Sequence, residues 1–241
     1  MKIVVNKTNF VSCLLNPTSK LTDNICLDFN RSSDEVKIKT LASSPDGNVI
    51  FMGSIDCEVD VPSKCIIPDC KTFLRLFSEI NEEKITLTVD TNSIEYKGGG
   101  LSFGYYLLDE GYFAEKKSLS ETKLNELQYD TNFEITKNKF SEILKYNSII
   151  PDAEKLYFYT DGTSVNVKLG DEQKSNTNEI VTEISKSFSG AAIEEPLPLN
   201  IQYLHLMTFA VDSIKVSVNK GLKIVKFSTP NFRYIVSGLV K

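Results

Sequence analysis

The sequence predicts an α+β chain of two similar domains, with helices on one face of antiparallel sheets. Three observations carry this. A short strand, one amphipathic helix and three further strands recur four times along the chain. A polar stretch, Asp109–Asn132, separates the second copy from the third. The 241 residues are 41% apolar, enough to bury substantial cores without disulfide staples.

The first copy begins with the strand Ile3–Val5 and the helix Lys7–Leu15, which Asn16-Pro17 is expected to stop. Strands Asn24–Asn30, Glu35–Ala42 and Val49–Asp56 follow, the last two joined by a hairpin turn at Asp46-Gly47. In the second copy Lys64–Pro68 precedes the helix Asp69–Ile80. Strands Lys84–Asp90, Ser93–Lys97 and Leu101–Leu108 come next, with Gly98–Gly100 as the last turn. The third copy reads Phe133–Thr136, helix Lys137–Asn147, then Lys155–Thr160, Ser164–Leu169 and Glu179–Lys186, with Asp161-Gly162 turning the first hairpin. The fourth reads Leu197–Ile201, helix Gln202–Val211, then Ser213–Asn219, Leu222–Ser228 and Phe232–Val240, with Lys220-Gly221 as its turn. Asn6, Asp69, Thr136 and Asn200 have the side chains of helix N-caps.

Every strand needs its apolar face covered, and one helix per unit covers it on one side of a shared layer. The chain therefore divides into residues 1–115, a linker at 116–132 containing part of Glu115-Lys116-Lys117-Ser118-Leu119-Ser120, and residues 133–241.

The charge is unevenly spread. There are 27 basic and 32 acidic residues, for a net charge of −5. This excludes a chain that grips nucleic acid simply by being cationic. The helical spans, however, hold Lys7, Lys71, Arg75, Lys137, Lys139 and Lys145 against Asp69, Glu79 and Glu142, leaving −8 for the remainder. Phe73, Phe77 and Ile80 share one face of the second helix, and Lys71, Arg75 and Ser78 the other. The third helix opposes Phe140, Ile143 and Leu144 to its lysines; the fourth offers only Gln202, His205 and Thr208 as a polar line. A body that repels a polyanion and a helical face that meets one are both implied.

Catalysis finds little support. The single histidine, His205, is the only available imidazole base for a cysteine or serine nucleophile. Lys97-Gly98-Gly99-Gly100-Leu101 lacks the ending of a phosphate loop and separates two strands. Asp109-Glu110, Glu82-Glu83 and Glu194-Glu195 read as solubilising pairs. Five cysteines (Cys13, Cys26, Cys57, Cys65, Cys70), none in a CxxC pair, read as reduced thiols. No metal or cofactor is expected. Neither a membrane span nor a signal peptide is expected from the apolar runs.

In order, length and plan the chain resembles the sliding clamps of DNA replication, which include the two-domain clamps of T-even-type phages and proliferating cell nuclear antigen. The strongest segments are Asp69-Cys70-Lys71-Thr72-Phe73-Leu74-Arg75-Leu76-Phe77, Phe133-Glu134-Ile135-Thr136-Lys137-Asn138-Lys139-Phe140-Ser141-Glu142-Ile143-Leu144 and Phe232-Arg233-Tyr234-Ile235-Val236. The resemblance implies a non-enzymatic, ring-forming homotrimer whose helices line a hole for duplex DNA. It also implies a DNA polymerase as partner, an ATP-driven clamp loader, and the cytoplasm (the host cytosol for a phage protein) as location. It assigns DNA contacts to Lys7, Lys71, Arg75, Lys137, Lys139 and Lys145. Subunit pairing falls to strand Leu101–Leu108 (Leu101, Phe103, Tyr105, Leu107) against Glu179–Lys186 (Ile180, Thr182, Ile184). A pocket for a partner's apolar tail falls to Leu41, Val49, Leu124, Leu127, Ile235 and Gly238. Two other readings stand beside it: a ring-forming virion or assembly protein that binds no DNA, and a cysteine hydrolase using His205.

Overall fold

All four expected caps form. Asn6 Oδ1 accepts the Asn9 N–H at 2.8 Å, Asp69 Oδ1 that of Thr72 at 2.9 Å, Thr136 Oγ1 that of Lys139 at 3.2 Å and Asn200 Oδ1 that of Gln202 at 2.9 Å. Each satisfies a donor that the first helical turn leaves open. The computed structural model describes residues 1–32, 35–61, 63–109, 121–170 and 178–239. Residues 116–120 of the expected linker, and Val240 at the end of the last expected strand, lie outside them. The chain divides into two units, Met1–Ser118 and Leu119–Lys241.

Unit 1 runs β1 (Lys2–Asn6), α1 (Lys7–Phe10), a π-helical turn (Val11–Leu15), α2 (Asn16–Ser19), β2 (Ile25–Ser32), β3 (Glu35–Ser43), β4 (Val49–Asp56), β5 (Glu58–Val59), β6 (Ser63–Ile67), α3 (Cys70–Ser78), β7 (Lys84–Val89), β8 (Ser93–Gly98) and β9 (Leu101–Tyr106). Its strands order as β5-β1-β7-β8-β9 and β4-β3-β2-β6, all antiparallel.

Unit 2 runs α4 (Glu121–Asn125), β10 (Thr131–Thr136), α5 (Lys137–Ile149), β11 (Lys155–Asp161), β12 (Ser164–Leu169), β13 (Ile180–Ser185), β14 (Ser189–Gly190), β15 (Leu197–Asn200), α6 (Ile201–His205), β16 (Ser213–Asn219), β17 (Ile224–Ser228) and β18 (Phe232–Ser237). Its strands order as β14-β10-β16-β17-β18 and β13-β12-β11-β15. Strand for strand this repeats the layout of unit 1, down to the two-residue strand hung beside the first.

Aromatic rings knit helices to sheets in each unit. In unit 1 Phe10 meets Phe77 at 5.0 Å, and Phe77 meets Phe73 at 4.8 Å and Phe103 of β9 at 6.3 Å. In unit 2 Phe140 of α5 meets Phe209 at 4.9 Å and Phe227 of β17 at 6.0 Å. Each such pair adds about 0.5–1.5 kcal/mol to the burial of its area.

The structure departs from the sequence reading at identifiable places. Asn16-Pro17 does not stop the first helix, which continues to Ser19 after the π turn. There the Asn16 N–H reaches Val11 O, five residues back. Widening the backbone just upstream of a residue that lacks an N–H, and whose ring would crowd the carbonyl of Cys13, lets the helix carry the proline. The fourth helix ends at His205, six residues early. Tyr234 Oη takes the Thr208 N–H at 3.2 Å, and Phe209 packs on Phe140, Phe232 and Tyr234, which draws residues 207–209 off the helical path. Asn219 Oδ1 accepts the Leu222 N–H at 2.6 Å, and the left-handed residue of that turn is Lys223 (φ 53°), not Gly221. Within the expected linker, Glu121–Asn125 form α4 and Thr131 and Asn132 open β10.

Candidate nucleic-acid interface and subunit edges

The cations of α3 follow from its amphipathicity. Phe73 and Phe77 are fully buried, so the opposite face presents Lys71 and Arg75 one turn apart. Lys71 Nζ sits 3.1 Å from Asp23 Oδ1, with both side chains well exposed; such a surface pair is weak and yields to a competing anion. Arg75 is exposed, with no ion-pair partner among the described residues.

Lys7 is engaged within unit 1. Its ammonium donates to Ile80 O and, at 3.3 Å, to Ser78 O, the latter the last residue of α3 and the former two residues beyond it. The Thr8 hydroxyl, one residue on, donates to Glu83 Oε2 at 3.0 Å. Helix carbonyls left without intrahelical donors, at the negative end of the macrodipole, attract a cation. Lys7 thus joins the start of one helix to the end of the other.

On α5, Lys137 and Lys145 are exposed. Lys139 is half-buried and bonds Glu142 Oε2 at 2.9 Å, while the Tyr146 hydroxyl donates to the same carboxylate. The bonds from Lys139 and then Tyr146 hold the Glu142 carboxyl below its usual range, and the bond to Glu142 raises Lys139. Lys139 is therefore internally compensated, whereas Lys137 is the more open charge. Gln202 and His205 are the exposed residues of α6, and His205 Nε2 lies 3.2 Å from Asn147 Oδ1 of α5.

The strands expected to pair between subunits are both sheet edges. β9 has β8 as its one strand partner and β13 has β12, among the described residues. Leu101, Phe103 and Tyr105 are half-buried and alternate with outward Ser102, Gly104 and Tyr106, the last 81% exposed. Tyr105 Oη bonds the backbone of Asp69, which seats β9 against the start of α3. Leu107 lies beyond β9, its N–H on Asn92 O at 2.8 Å. On β13, Ile180 and Thr182 are half-buried, Ile184 is buried, and Val181 is 51% exposed.

Of the expected pocket residues, Leu41 on β3 is half-buried and Val49 on β4 is fully buried in unit 1. In unit 2, Leu124 of α4 and Ile235 of β18 are buried, and Leu127 is half-buried. Gly238 N–H reaches Lys223 O at 2.6 Å; a Cβ there would stand 2.8 Å from that oxygen, so the close approach needs glycine.

A second group of cations lay outside the sequence reading, which looked for charge on helices. Lys215, Lys226 and Arg233 stand on β16, β17 and β18. Lys226 Nζ lies 4.1 Å over the ring of Tyr129, and Arg233 donates to Asn125 Oδ1 of α4.

No family model and no curated protein sequence matches the chain. Solved structures do. The PCNA of A. fulgidus, solved with the C-terminal region of FEN-1 bound, superposes with a TM-score of 0.78 at 12% identity, over 100% of this chain and 98% of that one. A PCNA2–PCNA3 complex from Sulfolobus tokodaii matches at 0.71 and 15%, over 99% of both chains. A DNA polymerase III beta subunit from Eubacterium rectale matches at 0.76 and 11%, and this chain spans 66% of its length. The chain has the fold of the DNA sliding clamps. Both of its units repeat one order of strands, and the likeness to the A. fulgidus protein runs through both.

Proposed function

We propose that the protein is a sliding clamp, a ring that encircles duplex DNA and tethers a replicative DNA polymerase as a processivity factor, without chemistry of its own. The observation that carries this is the match to a PCNA over essentially the full length of both chains. Charge supports it: Arg75, Lys71, Lys137 and Lys145 give the helices exposed cations on a body of net charge −5. Weak, screened phosphate contacts of this kind permit sliding while topology maintains attachment. Lys139 contributes when its bond to Glu142 opens.

Two unlike free edges support closure of the ring by head-to-tail pairing of β9 with β13 of the next copy, and a homotrimer is the proposed stoichiometry. An ATP-driven loader would open it around DNA. The A. fulgidus protein, solved with a FEN-1 C-terminal region, supports the idea that partners dock through tails; Leu41, Val49, Leu124, Leu127, Ile235 and Gly238 remain the proposed lining for an apolar one. No described helix is long and apolar enough to cross a membrane, in keeping with a cytosolic place of work.

The test is direct. Electron micrographs of the purified protein should show closed annuli, and primer extension on circular single-stranded template should lengthen when clamp and loader are added. The triple variant Arg75→Glu, Lys137→Glu, Lys145→Glu should still form rings but lose retention on circular duplex. A monomer at micromolar concentration that stimulates no polymerase overturns the proposal.

A further inference from the structure

The exposed face of α6 has one group able to change charge near neutral pH. Ile201 and Leu204 are fully buried, which turns Gln202 and His205 outward together. Ile201–His205 contains no lysine or arginine, so that face is uncharged whenever the imidazole is neutral.

The two nitrogens of this imidazole are made unlike by α5. Asn147 donates through Nδ2 to Ala153 O at 3.1 Å. A carbonyl only accepts, so this bond fixes which end of the Asn147 amide is oxygen. The remaining end, Asn147 Oδ1, lies 3.2 Å from His205 Nε2. That oxygen too only accepts, so Nε2 carries the proton, and neutral His205 is the Nε2–H tautomer with its lone pair on Nδ1. Nδ1 has no partner among the described residues, and His205 is exposed. Nδ1 is therefore the atom that takes the next proton. Gaining it leaves the bond to Asn147 intact and adds a charged N–H donor facing solvent.

The elements around α6 carry charges of both signs. α5 has Lys137, Lys139, Glu142 and Lys145, with the Tyr146 phenol; the loop after it has Asp152 and Glu154, and Lys155 opens β11. β15 has none, and the segment after α6 has Asp212. Glu142 is bonded to Lys139 at 2.9 Å. Among the described residues no carboxylate bonds the His205 ring. A charged His205 thus has no internal counter-ion and is open to an external anion.

We propose that His205 is a phosphate contact of α6, switched on by protonation at Nδ1, so that the hold on duplex DNA tightens as pH falls below neutral. The proposal rests on the clamp reading, which supplies the polyanion at the helices. It adds a contact unlike those of the lysines and Arg75: present in acid, absent in base. Because Asn147 already holds the ring, little side-chain freedom is lost when a phosphate binds. One more neutralised phosphate steepens the dependence of log affinity on log salt by about 0.9.

The experiment follows anisotropy of a short rhodamine-labelled duplex with the full chain, over a range of salt, at about pH 5.5 and about pH 8. The parent should bind about two- to fivefold tighter at the lower pH, with a slope steeper by about 0.9. Carboxylates begin to titrate in the same range, so His205→Ala sets the background and should lose the added slope. His205→Lys should bind at the higher pH as the parent does at the lower, and change little between them. Asn147→Ala should keep part of the gain, and its imidazole nitrogen NMR shifts should report both neutral tautomers where the parent shows Nε2–H alone. Melting temperatures should stay as in the parent for the His205 variants. A pH response that survives His205→Ala in full would overturn the proposal, as would a neutral parent imidazole protonated at Nδ1. Failure of the clamp reading looks different. Then no variant, His205→Lys included, binds duplex at either pH or lengthens primer extension, and the contact falls with it while the tautomer remains as assigned.

Discussion

Replacing Lys7 by methionine separates its structural role from the DNA contact that a helix-face lysine would suggest. Methionine keeps much of the apolar stem and removes the ammonium that donates to Ile80 O and Ser78 O. A hydrogen bond involving a charged group contributes about 1.5–3 kcal/mol. Here the donor is half-buried and the longer bond, 3.3 Å, is exposed, so the lower end, about 1.5 kcal/mol, is appropriate. Unfolding entropy of about 2.1 cal/mol/K per residue, over the residues Met1–Ser118 of unit 1, gives about 0.25 kcal/mol/K. The melting transition of unit 1 should therefore fall by about 6 °C in calorimetry. Affinity for a short duplex, and its dependence on salt, should stay as in the parent protein. An unchanged melting temperature with a shallower salt dependence would refute the capping assignment and return Lys7 to the DNA-contacting set.

Three further outcomes are expected. At Gly53 a Cβ would stand 2.7 Å from Leu14 Cδ2 and 2.8 Å from Cys13 O, so Gly53→Ala should cost about 1–3 kcal/mol in denaturant unfolding, whereas equal stability would show that the π turn yields easily. Tyr106→Asp together with Val181→Asp puts carboxylates on both outer edges; sedimentation should show more monomer with unchanged monomer melting, and intact rings would exclude β9–β13 pairing. Burial pushes the Cys70 thiol up to about 12 and the Tyr234 phenol to about 12, and burial followed by the Asp56 charge takes Cys57 to about 11. These acids stay protonated in the folded chain after the unfolded chain has lost its protons, so their stabilising effect is complete below about pH 9 and declines between pH 9 and 12. Denaturant midpoints that stay level across that window would contradict the burial of these groups.

What the sequence disclosed was local. Caps at Asn6, Asp69, Thr136 and Asn200 are one-residue signals with partners two or three positions away, and all four formed. The amphipathic face of α3 and the glycine turns at Gly47, Gly99, Gly100 and Gly162, each with positive φ, are equally short-ranged. The two-residue strands β5 and β14 escaped because two residues have no period. The early end of α6 depends on Tyr234, 26 residues beyond the Thr208 N–H it receives. Lys7 was legible as a cation on a helix, but the carbonyl it binds lies 73 residues downstream. The outward trio of Lys215, Lys226 and Arg233 was hidden for a related reason: only strand register brings it to one face.

The widened turn at Val11–Leu15 has a consequence for how this chain tolerates length changes. Removing one of its five residues would return the turn to ordinary α spacing and keep the later residues in phase, while those inside the turn shift by up to about 100°. Leu14 and Leu15, both fully buried, could not keep their places, and Pro17 would meet a carbonyl that the present geometry spares. A gain in regularity would thus be met by a clash at the proline, so a single-residue deletion here is expected to lower stability even though the surplus residue looks dispensable.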